Sequence, residues 1–408
     1  MNVFLPSCRS CGQNHLQLVL ALGKTPLANS LLTAERLTIP EPTHQLDLAF
    51  CPDCALVQIT ETVPPEILFR DYLYFSSTSD AMLEHAQGIA ARLIQARHLG
   101  SQSLVVEIAS NDGYLLQYFQ RAGVPVLGIE PARNIAQTAE QRGIRTLAEF
   151  FDETLSCRLR KEGTLADVII GNNVLAHVAD LNGFIHGIAL LLKDDGIAQF
   201  EVPYVKDLVD HCEFDTIYHE HLCYYSLTAL VRLFQRHGLH CVGVERIPIH
   251  GGSLRVQVAL SPVPSLAVDE LMREEAAGRV DDFEYYGDFA QCVKSLRNEL
   301  LAMLTDLKRQ GKRIAAYGAA AKGSTLLNYF RIGTETIDFV VDRNPNKQNR
   351  FMPGVHIPIF APTELLKRQP DYALMLTWNF ADEILKQQAE YLRRGGRFII
   401  PVPKPRIV

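Results

Sequence analysis

Met82, Leu83, Ala86, Ile89, Ala90, Leu93 and Ile94 recur three and four residues apart, so the stretch 80–97 reads as an amphipathic helix. From residue 103 the pattern changes. Short apolar runs at 104–108, 126–129, 167–170 and 197–202 alternate with helical stretches, a rhythm that predicts βαβ units and a parallel sheet. The stretch 243–258 predicts a closing hairpin, and the charged run at about 264–310 a helical connector. The alternation then restarts, with strands expected at 313–317, 336–341, 372–377 and 397–402, as in a second small Rossmann-like unit. Residues 1–70 carry no such rhythm; around Thr38-Ile-Pro-Glu-Pro-Thr43 they look too irregular for a large core of their own.

What the first block has instead is Cys8-Arg-Ser-Cys11 and Cys51-Pro-Asp-Cys54. Two residues between cysteines let both reach one tetrahedral Zn²⁺, and two such pairs complete a closed, structural Cys₄ shell. Cys8, Cys11, Cys51 and Cys54 are therefore the expected metal ligands, with metal supplying stability that the block lacks. The expected fold is α/β, in three parts: a zinc-binding module at 1–70, a methyltransferase-type Rossmann-like sheet at 71–262, and a Rossmann-like C-terminal domain at 263–408.

Composition narrows the setting. The 408 residues are 47% hydrophobic, enough for several cores, with no apolar run of membrane-spanning length. No signal-peptide pattern opens the chain, and nine cysteines, four of them paired as metal ligands, favour a reducing, cytoplasmic location. A formal charge of −6 gives no general attraction to nucleic acid.

The first strand of the middle block ends in Glu107-Ile108 and turns through Ala109-Ser-Asn-Asp-Gly113; the second ends at Glu130, an acid able to accept both hydroxyls of a ribose. Ala109 and Asn111 stand where a dinucleotide fingerprint wants glycine, so S-adenosylmethionine, which has no phosphates, fits better than NAD. Glu107, Ala109, Asn111, Gly113 and Glu130, with Asn172 and Asn173 beyond the third strand, are the expected cofactor contacts. The densest chemistry is Tyr218-His-Glu-His221, with His177 after the third strand. Imidazole, carboxylate and phenol together suit proton abstraction beside a carbonyl. Metal ligation and a merely solvated loop are the alternatives.

Tyr-x-Tyr-Phe-Ser-Ser at 72–77, Val-Glu-Ile-x-Ser-Asn-Asp-Gly at 106–113, Asn-Val-Leu-Ala-His at 173–177, Tyr-His-Glu-His at 218–221, His-Gly-Gly-Ser-Leu-Arg at 250–255, Tyr-Gly-Ala-Ala-Ala-Lys-Gly at 317–323 and Val-Asp-Arg-Asn-Pro-x-Lys at 341–347 follow the two cysteine pairs. In this order the chain resembles, over essentially its whole length, the nucleotide-sugar C-methyltransferases of branched deoxysugar synthesis. The resemblance implies a S-adenosylmethionine-dependent enzyme acting on a nucleoside-diphosphate 4-keto-6-deoxy sugar, with methylation preferred at C3. It places His221 at the family's proposed base, Tyr218, Glu220 and His177 around the reacting carbon, and Tyr72 and Tyr74 along the sugar. It also implies a C-terminal domain that helps to hold the nucleotide sugar, for which Lys322 and Arg343 are the expected contacts. Ala109 departs from the glycine many relatives carry. Two rival readings remain. Gly318-x-Ala-x-x-Gly323 with Asp342 is close to a dinucleotide fingerprint and would suit an NAD-dependent oxidoreductase, and a zinc module on a degenerate sheet could be a non-catalytic binding protein.

Overall fold

The computed structural model describes residues 7–69, 75–78 and 80–408. Its middle sheet has seven strands in the order His240–Ile247, Ser253–Ala259, Leu192–Pro203, Ala166–Asn172, Val105–Ile108, Val126–Ile129, Thr146–Leu147. The five strands from Leu192–Pro203 to Thr146–Leu147 run parallel. Ser253–Ala259 adds antiparallel to Leu192–Pro203 and makes the expected hairpin with His240–Ile247. Val105–Ile108 is buried at every position, which is why it reads as an unbroken apolar run and not as an alternation. The expected helix is Asp80–Arg97, and its Ala86, Ile89, Ala90 and Leu93 are buried against this sheet.

The C-terminal sheet has six strands, ordered Ile359–Phe360, Val340–Val341, Ile314–Tyr317, Tyr372–Met375, Arg397–Ile400, Arg406–Ile407, all parallel except the last pair. The expected connector is two helices, Leu266–Ala277 and the long Phe283–Arg309. In the long one Tyr286, Phe289, Val293, Leu296, Leu300, Leu304 and Leu307 form a buried stripe at helical spacing. The shorter helix is fastened to the middle domain by Glu275, fully buried. It accepts from the amides of Leu227 (2.7 Å) and Thr228 (2.8 Å), the Thr228 hydroxyl (2.6 Å) and the Tyr204 hydroxyl (2.9 Å). Leu227 and Thr228 open helix Leu227–Gln235, where a carboxylate completes otherwise unpaired amides.

The N-terminal block is more regular than its sequence suggests. Gln17–Thr25, His44–Phe50 and Val57–Ile59 form an antiparallel sheet, with Leu20, Leu46, Leu48, Phe50 and Ile59 in a core continuous with the rest of the molecule. Its fourth strand is Cys223–Tyr224, contributed by the middle domain immediately after Tyr218-His-Glu-His221. Rings of Phe283 and Tyr286 pack on Phe50 at 6.3 and 5.0 Å. Burial against its neighbours therefore stabilises this block, whatever a metal adds. Among the described residues no helix is long and apolar enough to cross a membrane.

The four expected ligand cysteines converge. Their sulfurs all lie within 4.8 Å of one another, with Cys8 to Cys54 and Cys11 to Cys51 each 3.5 Å apart. A tetrahedral Zn²⁺ with Zn–S bonds of about 2.3 Å spaces its sulfurs about 3.8 Å apart, so an all-thiol set this compact fits one zinc. Undenatured protein should accordingly contain about one zinc per chain, and Cys51→Ser should lower both the metal content and the melting temperature. Metal-free protein with an unchanged melting temperature would contradict this.

Candidate functional site

The carboxyl ends of the middle-sheet strands, the loop at 216–222 and the turns of the C-terminal sheet enclose one large cleft of about 1780 Å³. All three parts of the chain line it. Asn29 comes from the N-terminal block, Asn111, Glu130, His177, Tyr218, Glu220 and His221 from the middle domain, and Lys322, Arg343 and Lys347 from the C-terminal domain.

His221 is held at both ring nitrogens. Nδ1 lies 3.1 Å from the Thr216 carbonyl, an acceptor only, so this nitrogen carries the proton. Nε2 is thereby the basic atom, and it accepts from the Tyr218 hydroxyl at 2.9 Å, the two rings 4.1 Å apart. The His177 ring meets that of His221 edge-on at 4.9 Å and donates from Nδ1 to the Glu220 carbonyl at 2.6 Å. Loss of hydration pushes His177 down to about 4, so it is neutral at physiological pH. Glu220 is buried, and this pushes its carboxyl up to about 7, against the pull of Asn29 and Lys347. Asn29 Nδ2 donates to Glu220 Oε1 at 2.6 Å. His219, between these residues in sequence, faces away from the cleft and approaches the Gln45 carbonyl at 3.2 Å. The loop thus presents Tyr218, Glu220 and His221 to the cleft and His219 to the N-terminal block.

At the other end of the middle domain, Ala109 (φ 54°), Asn111 (φ 49°) and Asn173 (φ 54°) all adopt the left-handed conformation. A side chain at 109 costs about 1 kcal/mol there relative to glycine, which is the physical sense of that departure. Asn111 lies close behind it, its Oδ1 accepting from the Ser76 amide at 2.9 Å. Glu130 accepts from the Asn111 amide (3.0 Å) with one oxygen and the Ala132 amide (2.9 Å) with the other, which leaves further lone pairs on each for hydroxyl donors. Buried Asn172 Oδ1 has no hydrogen-bond partner among the described residues, and Asn172 lines the same cleft. This set of acceptors fits the amino group and ribose hydroxyls of S-adenosylmethionine. Glu107 and Gly113 do not reach the cleft. Glu107 lies beneath it, 1% exposed and pushed well above the usual carboxylate range by burial and by the charges of Glu130 and Asp112. Gly113 (φ 79°) is needed for packing: a Cβ there would stand 2.9 Å from Ile144 Cγ1.

The C-terminal residues divide in the same way. Lys322 donates to Asn379 Oδ1 at 3.0 Å and lies 4.5 Å from the centre of the Trp378 ring, flanked by Asp215 and Glu213. Burial lowers its pKa, and the two acids oppose that. Trp378 Nε1 in turn donates to buried Asp215 at 2.8 Å. Lys322 is therefore largely committed to a joint between domains. Arg343 is exposed, 3.6 Å from Glu383. Lys347, which sequence reasoning passed over, donates to the Ala319 carbonyl at 2.8 Å and points its charge toward Glu220. The expected sugar contacts Tyr72 and Tyr74 lie outside the described residues.

Comparison with known proteins gives three family matches. Residues 8–69 match "Putative zinc binding domain", 82–244 match "Methyltransferase domain" and 248–403 match "C-methyltransferase C-terminal domain". The chain is 35% identical over 407 residues to C-methyltransferase NovU of Streptomyces niveus, covering 99% of this chain and 97% of the relative. A ubiquinone biosynthesis O-methyltransferase of Bartonella tribocorum is 30% identical over 94 residues, 23% of this chain and 38% of that one. Among solved structures, magnesium protoporphyrin IX methyltransferase of Synechocystis PCC 6803 with bound SAM aligns with a TM-score of 0.35 at 14% identity, over 47% of this chain and 86% of that one.

The elevated Glu220 carboxyl has a consequence for stability. A carboxyl raised from 4.5 to about 7 in the folded protein favours folding below pH 4.5, and that contribution is lost as pH rises through about 7. Glu220→Gln, which cannot ionise, should therefore raise the melting temperature relative to the parent protein more at pH 8 than at pH 5. Equal differences at the two pH values would mean that Glu220 titrates as an ordinary surface acid.

Proposed function

We propose, from the premise that this chain belongs to the C-methyltransferase family, that it methylates C3 of a nucleoside-diphosphate 4-keto-6-deoxy sugar through an enolate generated by His221. Family membership carries the coarse activity, S-adenosylmethionine-dependent methyl transfer to carbon. The observation that supports the finer reading is the paired orientation of His221. With Nδ1–H committed to the Thr216 carbonyl, Nε2 is a lone-pair base in the cleft, and the Tyr218 phenol that donates to it can yield its place or relay a proton.

A ketone at C4 acidifies the hydrogen on C3. In the proposed step Nε2 of His221 takes that proton, the C–H electron pair becomes the C3–C4 double bond of the enolate, and the carbonyl pair moves to oxygen. The Tyr218 hydroxyl, freed when Nε2 of His221 takes the proton, donates to the developing oxyanion, while neutral His177, its one N–H held by the Glu220 carbonyl, keeps the loop in place. Glu130, Asn111 and Asn172 would hold the methyl donor, whose sulfonium supplies an electrophilic methyl group. Arg343, with Lys322 behind it, supplies positive charge for the diphosphate, while Lys347 places its charge near Glu220.

His221→Asn, which removes the base at similar size, should slow methyl transfer by about a hundredfold or more and leave donor affinity nearly unchanged in calorimetry. It should also suppress donor-independent exchange of the C3 hydrogen with deuterated water. Tyr218→Phe should lose less rate. Wild-type turnover in His221→Asn, or exchange that persists there and disappears in Tyr218→Phe, would transfer the base to the tyrosine.

A further inference from the structure

We infer that Asn29, in the N-terminal block, is a positioning residue for the reaction: its side-chain amide holds one oxygen of Glu220 so that the other is presented to the cleft. The inference rests on the reading that Glu220 lies at the reacting centre.

Three observations carry it. First, the 2.6 Å contact from Asn29 Nδ2 to Glu220 Oε1 joins residues 191 apart and is the one hydrogen bond to the Glu220 side chain among the described residues. Glu220 Oε2 is left for whatever occupies the cleft, which Glu220 lines.

Second, the Asn29 backbone is fixed from outside its own block. Ser324 of the C-terminal domain donates to the Ala28 carbonyl at 2.8 Å, and Leu32 exchanges backbone hydrogen bonds with Phe351 at 3.0 and 2.9 Å. The amide is thus delivered from a five-residue segment, Ala28 to Leu32, tied at both ends, although the residue itself is exposed to the cleft.

Third, the backbone of Glu220 is held separately, through the His177 Nδ1 bond to its carbonyl. His177 sets where the residue sits, and Asn29 sets where the carboxyl points. The charged and titratable groups around that carboxyl are Lys347 from the C-terminal domain, His177 from the middle sheet, and Tyr218 and His221 on its own loop.

An asparagine suits this task. A neutral amide donor stabilises the carboxylate without adding a charge that would ionise it outright, and without the repulsion a second acid would bring. Removing the donor should therefore make Glu220 harder to ionise and let the carboxyl rotate.

The test uses the full-length zinc-loaded chain labelled with carboxyl-¹³C glutamate, the Glu220 resonance identified by its absence in Glu220→Gln. In Asn29→Ala that resonance should titrate at higher pH by on the order of one unit, a tenfold change in proton affinity. Turnover of a nucleoside-diphosphate 4-keto sugar should fall about tenfold while affinity for S-adenosylmethionine stays the same. Asn29→Ser guards against a local folding defect and should behave as Asn29→Ala does. An unshifted titration together with unchanged turnover in both variants overturns the inference. If Glu220→Gln itself turns over normally, the placement of Glu220 at the reacting centre fails; if Glu220→Gln is impaired and Asn29→Ala is not, only the role of Asn29 does.

Discussion

The pairing of Val57 and Gln58 with Tyr224 and Cys223 is the constraint on which the site depends. It makes two residues of the middle domain the edge of the N-terminal sheet, and they begin two positions after His221. On the other side of the same loop, the Leu222 amide donates to the Ala176 carbonyl at 2.7 Å, next to His177, and the Leu222 carbonyl accepts from the Ile59 amide at 3.0 Å. Tyr218-His-Glu-His221 is therefore stitched to both domains by backbone hydrogen bonds, while its Tyr218, Glu220 and His221 side chains project into the space between them. The four-cysteine cluster sits in the block that supplies half of this clamp, so a zinc held there would contribute to the chemistry only through geometry, at a distance.

A loop held in this way can carry groups that an unsupported loop could not. Neutral His177, Glu220 with its carboxyl near neutrality and His221 with a fixed tautomer all require that water be kept from part of the site and that partners stay in place. Fixing each side chain to a carbonyl or amide of a different element removes the rearrangement that charge movement would otherwise demand. The joint formed by Lys322, Asp215 and Trp378 does the equivalent for the C-terminal domain, bringing its Lys347 toward the same centre.

Much of this was legible in the sequence. Helix Asp80–Arg97 appears where the apolar periodicity places it, because it buries one face at helical spacing, and Val126–Ile129 appears at a short unbroken apolar run, because a strand inside the sheet is buried on both sides. The cysteine spacing was equally direct. The N-terminal sheet was not, since Gln17–Thr25 pairs with two register shifts that break alternation, and strands of two or three residues such as Cys223–Tyr224 and Val57–Ile59 have no period to detect. Asn29 escaped for another reason: nothing local marks it, and it matters only through a partner far away in the chain; Lys347 stands in the 341–347 motif, but its relation to Glu220 is likewise visible only in the fold. Glu107 and Gly113, expected as cofactor contacts, lie in the floor of the turn, the glycine where Ile144 leaves no room for a side chain.

The central claim is that this clamp presents a base and an oxyanion donor to a carbon beside a ketone. The most direct measurement is to incubate the zinc-loaded protein with ¹³C-methyl S-adenosylmethionine and a panel of nucleoside-diphosphate 4-keto sugars, and to locate the label by NMR. The account predicts a new carbon–carbon bond, with the labelled methyl on C3. A methyl group found on oxygen or nitrogen, or on a carbon that no ketone activates, would contradict it.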